Sequence, residues 1–181
     1  MAKRWIVTAL GKDKPGIVAS VTEALYKLGA NLEDSAMTRL GGEFAIMLAF
    51  SAKTTATPER LRAAFKALER RARLVVHLKP LSPQEAVAPR GRGRPYQISV
   101  YGSDRPGIVF RVAKLLAAAG VNVTDVHTHR SSGKGPSLYL MLLEVEIPAR
   151  TGMPAFERRL KALGASLGVR VHLRASDTTI L

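Results

Sequence analysis

The chain has 181 residues, enough for one medium domain or two small ones. Hydrophobic residues make up 46% and charged residues 23%, a balance that excludes a largely disordered chain. Lys and Arg total 28 against 14 Asp and Glu, and there is no cysteine. The net charge of +14 favours acidic partners or nucleic acid without specifying a fold. The lack of cysteine excludes disulfides, a thiolate nucleophile and Cys-ligated metal.

Taken in chain order, Trp5 to Leu10 is a short apolar run with β-branched residues and predicts a strand. Lys3 and Arg4 precede it, Lys12 to Pro15 interrupt it, and no small-residue cleavage site follows. We therefore expect no signal peptide and a cytoplasmic protein. No stretch approaches the roughly 18 apolar residues that span a bilayer. Pro15 and Gly16 are expected to open a helix. Ile17, Val18, Val21, Leu25 and Leu28 recur at three- and four-residue steps, and Gly29 stops it. Residues 30–40 predict a strand, Leu40-Gly41-Gly42-Glu43 a hairpin turn, and Phe44 to Phe50 the return strand. Thr57-Pro58-Glu59 starts a second helix with Leu61, Phe65 and Leu68 as its apolar stripe. Leu74 to Leu78 closes the unit as a strand.

The same order then repeats. Gly11-Lys12-Asp13-Lys14-Pro15-Gly16-Ile17-Val18 matches Gly102-Ser103-Asp104-Arg105-Pro106-Gly107-Ile108-Val109 at an offset of 91. Residues 10–39 and 101–130 share 12 identities in 30 positions, among them Gly29/Gly120, Asn31/Asn122, Asp34/Asp125 and Arg39/Arg130. Beyond Arg130 the second copy carries four extra residues in a Ser-Gly-Lys-Gly-Pro loop, so the offset becomes 95 and pairs His77 with His172. The second set of elements falls at 96–102, 106–119, 121–131, 137–147, 153–168 and 169–174. The period is too long for a solenoid and marks a domain duplication. We expect domain one at 1–80, a Pro/Gly/Arg linker at 81–95 and domain two at 96–181. Each would be an α+β, ferredoxin-like β-α-β-β-α-β unit: a four-stranded antiparallel sheet with two helices on one face. The open sheet face and edges predict association into a homo-oligomer.

The Gly-x-Asp-x-Pro-Gly-Ile-Val turn, the Gly-x-Asn at the helix-to-strand junction and the element order resemble the ACT-domain family. The tandem arrangement and length resemble the transcriptional regulators of the glycine cleavage system. The resemblance implies an amino acid or similar small effector bound between domains. It also implies action on transcription through a partner protein rather than a DNA-reading helix. Ligand contacts would come from Asp13, Pro15, Gly16, Ile17 and Val18, from Asn31, and from Asp104, Pro106, Gly107, Ile108, Val109 and Asn122.

The residues allow that chemistry. Pro presets φ for a first helical turn, Gly lets a ligand approach the backbone, and free first-turn N–H groups attract a carboxylate. Asp13 or Asp104 would receive an ammonium, or would simply cap the helix. Asn31 and Asn122 can donate and accept toward a zwitterion, or serve as turn residues with positive φ or a local hydrogen bond. Serine-sensing ACT domains carry Asn in the strand-to-helix turn with His upstream. This chain has Asp13 and Asp104, with Gly11 and Gly102 upstream.

Asp125, His127 and His129 alternate on a predicted strand and share a face, as metal ligands or as plain surface residues. We expect no metal and no cofactor, and read His77 and His172 as structural. Within Pro89-Arg90-Gly91-Arg92-Gly93-Arg94-Pro95, the Arg-Gly-Arg-Pro run resembles an AT-hook core; it is either a plain interdomain linker or support for an alternative reading as a nucleic-acid-binding module. Residues 1–80, 81–95 and 96–181 carry +7, +2 and +5, so the charge is not concentrated there. Much of it lies on the second helices, at Arg60, Arg62, Lys66, Arg70 and Arg71, then Arg158, Arg159 and Lys161. No P-loop, nucleophile elbow or zinc-protease His pair is present, so we expect no enzyme.

Overall fold

A computed structural model describes residues 2–53, 56–82, 85, 93–131 and 137–176. The chain divides into two compact units, Met1–Ala88 and Pro89–Leu181. The first contains β1 (Lys3–Lys12), α1 (Ile17–Lys27), β2 (Asn31–Leu40), β3 (Glu43–Ala52), α2 (Pro58–Ala72) and β4 (Leu74–Leu81). The second contains β5 (Gly93–Ser103), α3 (Ile108–Ala118), β6 (Asn122–Ser131), β7 (Leu138–Pro148), α4 (Met153–Leu167) and β8 (Val169–Ala175). The sheets have the strand orders β2-β3-β1-β4 and β6-β7-β5-β8, with every pairing antiparallel. Each unit is therefore the expected α+β, βαββαβ fold.

The offset of 91 aligns α1 with α3 and β2 with β6, and the offset of 95 aligns α2 with α4. β4 runs to Leu81 and β5 starts at Gly93, so strand pairing extends into both ends of the stretch read as linker. Arg94 lies opposite Ile147 in β5. Arg90, Arg92 and the inserted loop at 132–136 fall outside the described residues.

Alternation decides which side of each sheet is covered. Trp5, Val7 and Ala9 of β1 and Phe44, Ile46, Leu48 and Phe50 of β3 point to one face and are buried. Ile17, Val21 and Leu25 of α1 and Leu61, Phe65 and Leu68 of α2 close over that face. The second core repeats the plan with Ile98, Val100, Met141, Leu143, Val145, Ile108, Val112, Leu116, Phe156 and Leu160. The residues between them point away from the helices and leave Leu10, Met47, Val75, Leu138 and Leu140 exposed. The edge strands β2 and β6 are exposed along all ten residues. Both carry a register shift, between Leu32 and Asp34 and between Val123 and Asp125. A bulge of this kind leaves an amide off the ladder, and Asp34 and Asp125 accept the N–H of the following residue at 2.8 Å. That explains one identity of the repeat.

Thr57 caps α2, its hydroxyl accepting from Arg60 N at 3.3 Å, with Pro58 at the first helical position. The β2–β3 hairpin closes with positive φ at Gly41 and Gly42, as a type I′ turn requires. Among the described residues no helix is long and apolar enough to cross a membrane.

Gly11 and Gly102 pair with Leu74 and Val169, the first residues of the strands that end each unit. A Cβ on Gly102 would lie 2.8 Å from Gly168 O and 2.9 Å from Val169 Cα, both backbone atoms that cannot swing aside. Gly102→Ala is expected to destabilise the second unit by about 1–3 kcal/mol, the usual scale of overpacking. A urea denaturation curve measures it, and an unchanged midpoint would contradict this contact.

Candidate effector-binding turns

The turn between β1 and α1 begins where the strand leaves the sheet. Asp13 N donates to Gly42 O at 3.0 Å, stitching the strand end to the hairpin. Ile17 N then donates back to Lys14 O at 3.3 Å, and Gly16 has φ 84° and ψ 0°. These values describe a type II turn with Pro15 at its second position and Gly16 at its third. Gly107 repeats it with φ 90° and ψ 0°, and Asp104 N donates to Ser137 O at 3.0 Å. The glycines are needed for their left-handed backbone, since a Cβ at either would meet nothing within 4 Å.

Two expectations are corrected here. Pro15 and Pro106 do not occupy the first helical turn: α1 and α3 start at Ile17 and Ile108, with Gly16 and Gly107 as N-caps. The prolines preset the preceding turn. Nor does either aspartate cap its helix, because neither N-cap receives a side-chain hydrogen bond. Each aspartate faces an arginine instead. Arg39 Nη1 donates to Asp13 Oδ2 at 3.2 Å, and Arg130 Nη1 stands 3.5 Å from Asp104 Oδ2. The arginines sit at the far ends of β2 and β6, opposite Phe44 and Tyr139. Burial, helped by the Asp104 charge, raises the Tyr139 phenol above its ordinary pKa.

In the first unit Asp13, Pro15, Gly16, Ile17 and Val18 line an open concavity of about 620 Å³, completed by Met37, Arg39 and Phe44. In the second, Gly107, Ile108 and Val109 line one of about 280 Å³ with Arg105, Phe110 and Tyr139. The first intrahelical bonds run from Ser20 N to Gly16 O and from Arg111 N to Gly107 O, both at 2.9 Å. The amides of Val18 and Ala19, and of Val109 and Phe110, precede them and have no protein acceptor among the described residues. An acid, a guanidinium and free amides thus meet at one helix end, twice.

The structure does not bring Asn31 and Asn122 to these turns within a unit. An 11-residue helix separates them, about 16 Å in length. Gly29 and Gly120 carry the positive φ of that junction, at 63° and 68°. Asn31 and Asn122 are the exposed first residues of β2 and β6, and no hydrogen bond involves their side chains among the described residues. Both alternatives that made them turn residues are thereby set aside. What the sequence reading missed is Arg39 and Arg130 as partners of Asp13 and Asp104. Their signal was their recurrence in the repeat.

The residue after each aspartate has its own role. Lys14 Nζ donates to Ala72 O at 3.1 Å, at the end of α2. The Arg105 guanidinium lies beside Gly168, the C-cap of α4. Each cation thus meets the negative end of a helix. On the second sheet His127 Nε2 lies 2.9 Å from Asp125 Oδ2, both exposed. Among the described residues no group of three or more His, Cys, Asp or Glu is arranged to hold a metal ion. His77 and His172 are exposed on the helix-free faces, where His172 stacks on Tyr101 at 5.8 Å.

Family models described as the ACT domain match residues 3–79 and 96–164. The chain belongs to the ACT-domain family. It is 26% identical over 178 residues to the glycine cleavage system transcriptional repressor of Escherichia coli, covering 91% of this chain and 86% of that protein. A UPF0237 protein of Methanosarcina mazei is 35% identical over 81 residues, 44% of this chain and 84% of that protein. The crystal structure of an unknown protein from Galdieria sulphuraria superposes with a TM-score of 0.77 at 25% identity, covering 97% of this chain and 99% of that one.

The Lys14 contact should be worth what a cation at a helix C-terminus usually is. Lys14→Met is expected to lower stability by about 0.3–1 kcal/mol, with the loss shrinking as salt rises. Thermal melts at low and high ionic strength measure it, and a loss independent of salt would contradict the electrostatic origin.

Proposed function

We propose that this is a regulatory protein rather than an enzyme, one that binds a small zwitterionic effector of the amino-acid class at its ACT turns. The observation that carries the proposal is the Asp–Arg couple beside free helix-terminal amides, present in both units. An α-amino acid presents a carboxylate and an ammonium on one carbon. The carboxylate would take the Val18 and Ala19 amides and the Arg39 guanidinium, where the positive end of α1 lies. The ammonium would take Asp13. Met37 and Val18 offer exposed apolar surface to a side chain. In the second unit Val109, Phe110, Arg130 and Asp104 would play these parts, and the smaller concavity there is lined by Arg105, Phe110 and Tyr139, so the two turns should differ in side-chain preference.

Similarity to the Escherichia coli repressor over most of the chain supports a role in transcriptional regulation of a glycine cleavage system, and we infer that such a role would be exerted through a partner protein. Asn31 and Asn122 join this reading through another copy of the chain. An exposed edge strand can pair with a second copy, and such pairing would let its Asn reach the turn of the first. Effector binding would then be linked to assembly.

A thermal-shift screen of the twenty amino acids, followed by calorimetry, tests the proposal. One or a few amino acids should raise the melting temperature. Arg39→Gln and Asp13→Asn should each weaken binding by about 10- to 100-fold, the equivalent of about 1.5–3 kcal/mol for a charged hydrogen bond. Unchanged affinity in the Arg39→Gln/Arg130→Gln double variant would refute the site. Binding of duplex DNA that falls steeply with salt would instead favour the nucleic-acid reading of the +14 charge.

A further inference from the structure

The first unit carries a second concavity, away from the turn, between the C-terminal half of α1 and α2. It measures about 260 Å³ and is lined by Ala24, Lys27 and Leu28 of the α1 side and Ala64, Leu68 and Arg71 of α2, with Glu23 and Ala67 beside them. The groove exists because small residues stand where two packed helices would otherwise interdigitate. Ala64, Ala67 and Arg71 lie on one stripe of α2, with Arg60 a turn before them. Its floor is apolar and its rim is charged.

The rim shows what kind of group it accepts. Lys27 Nζ lies 2.7 Å from Glu23 Oε1, and Arg71 Nη2 lies 3.1 Å from Glu23 Oε2. Cations from two helices thus converge on one carboxylate over the groove. Hydrogen bonds from Lys27 first, then Arg71, hold Glu23 below the ordinary carboxylate range. Around this point α2 is strongly basic: Arg60, Arg62, Lys66, Arg70 and Arg71 against Glu59 and Glu69. Glu69 is already committed, accepting Val76 N at 2.9 Å.

The other copy serves as an internal comparison. The positions of Ala24 and Ala64 are held there by Leu115 and Arg159, and those of Glu23, Lys27 and Arg71 by Lys114, Ala118 and Ser166. Leu115 packs against its core. Ala162 keeps the position of Ala67, but neither Ala24, Ala64 nor the ionic bracket is needed for the fold, since the second unit folds without them.

We propose that the α1–α2 groove of the first unit is a docking site for an acidic amphipathic segment of a partner protein, one aliphatic side chain entering between Ala24 and Ala64 and its flanking carboxylates meeting Lys27 and Arg71. An apolar floor under a rim of net positive charge, with two cations to the one Glu23 carboxylate, suits a peptide with both features. A nucleic-acid backbone would use the rim alone.

The test uses the full-length protein and a fluorescein-labelled 14-residue peptide of Glu and Leu, its leucines spaced for one helix face, with the Lys/Leu counterpart as control. Anisotropy should show saturable binding of the acidic peptide, weakening as salt rises, and none of the basic one. Ala24→Leu, which installs the residue of the other copy, should weaken binding at least tenfold, and Arg71→Gln about three- to tenfold. Ala67→Leu, at an exposed position, gives the same reading should Ala24→Leu disturb the fold. No saturable binding by the unsubstituted protein overturns the proposal. So does affinity unchanged in Ala67→Leu and in folded Ala24→Leu, or a 20-base-pair DNA duplex that binds with an affinity lowered by Arg71→Gln and untouched by Ala67→Leu. Amino-acid binding at the turn should be unaffected by Ala67→Leu, which keeps the two sites separately testable.

Discussion

The left-handed glycine between strand and helix is the constraint on which each unit depends. With φ near 84–90°, Gly16 and Gly107 reverse the chain so that the helix starts at once and returns over the sheet. That reversal sets which side of the sheet is covered and therefore which residues form the core. It also leaves the first-turn amides facing outward, beside the aspartate that ends the strand. Proline before the glycine narrows the turn further, and a cation after the aspartate ties the turn to the end of α2 or α4. One eight-residue motif thus builds a fold junction and a polar site together. Its recurrence in both copies is intelligible on structural grounds even before a ligand is considered.

The copies share this junction and differ around it. The first unit has the larger concavity at the turn, with Ala19 where the second has Phe110. It also keeps small residues between its helices where the second unit has Leu115 and Arg159. Meanwhile the second unit places Tyr101, Arg170 and His172 on its helix-free face, with Arg170 over the Tyr101 ring at 5.9 Å. Duplication supplied two scaffolds with equivalent cores and left the surfaces to diverge. A shared effector chemistry combined with a partner surface on one unit is the division of labour that the two proposals assign to these differences.

Much of the fold was legible in the sequence because it rests on local periodicity. Ile17, Val21 and Leu25 report a helix face, Phe44 to Phe50 a strand face, and the repeat tests each assignment twice. Strand ends were less legible. β4 reaches Leu81 and β5 begins at Gly93 because pairing with β1 and β7 extends through Pro and Gly residues that carry no apolar pattern. The site was half legible. The turn could be recognised from its residues, but the partner of Asp13 is 26 residues away, and only the antiparallel register of β2 against β3 brings Arg39 beside it. A local reading leaves Asp13 as an ammonium acceptor or a helix cap and does not reveal its arginine. Pro15 was misplaced for a similar reason, since Pro-Gly before a helix fits either a first turn or a type II turn until the glycine φ is known. The α1–α2 groove left no motif at all, because it arises from small residues on two separate helices.

Backbone amide spectra recorded during titration with the amino acid that passes the thermal screen test the central claim most directly. The account predicts that the largest shifts fall on Gly16 to Ala19 and Gly107 to Phe110, accompanied by the Nε signals of Arg39 and Arg130. Saturable binding whose shifts map elsewhere, with these amides and arginines unmoved, would contradict it.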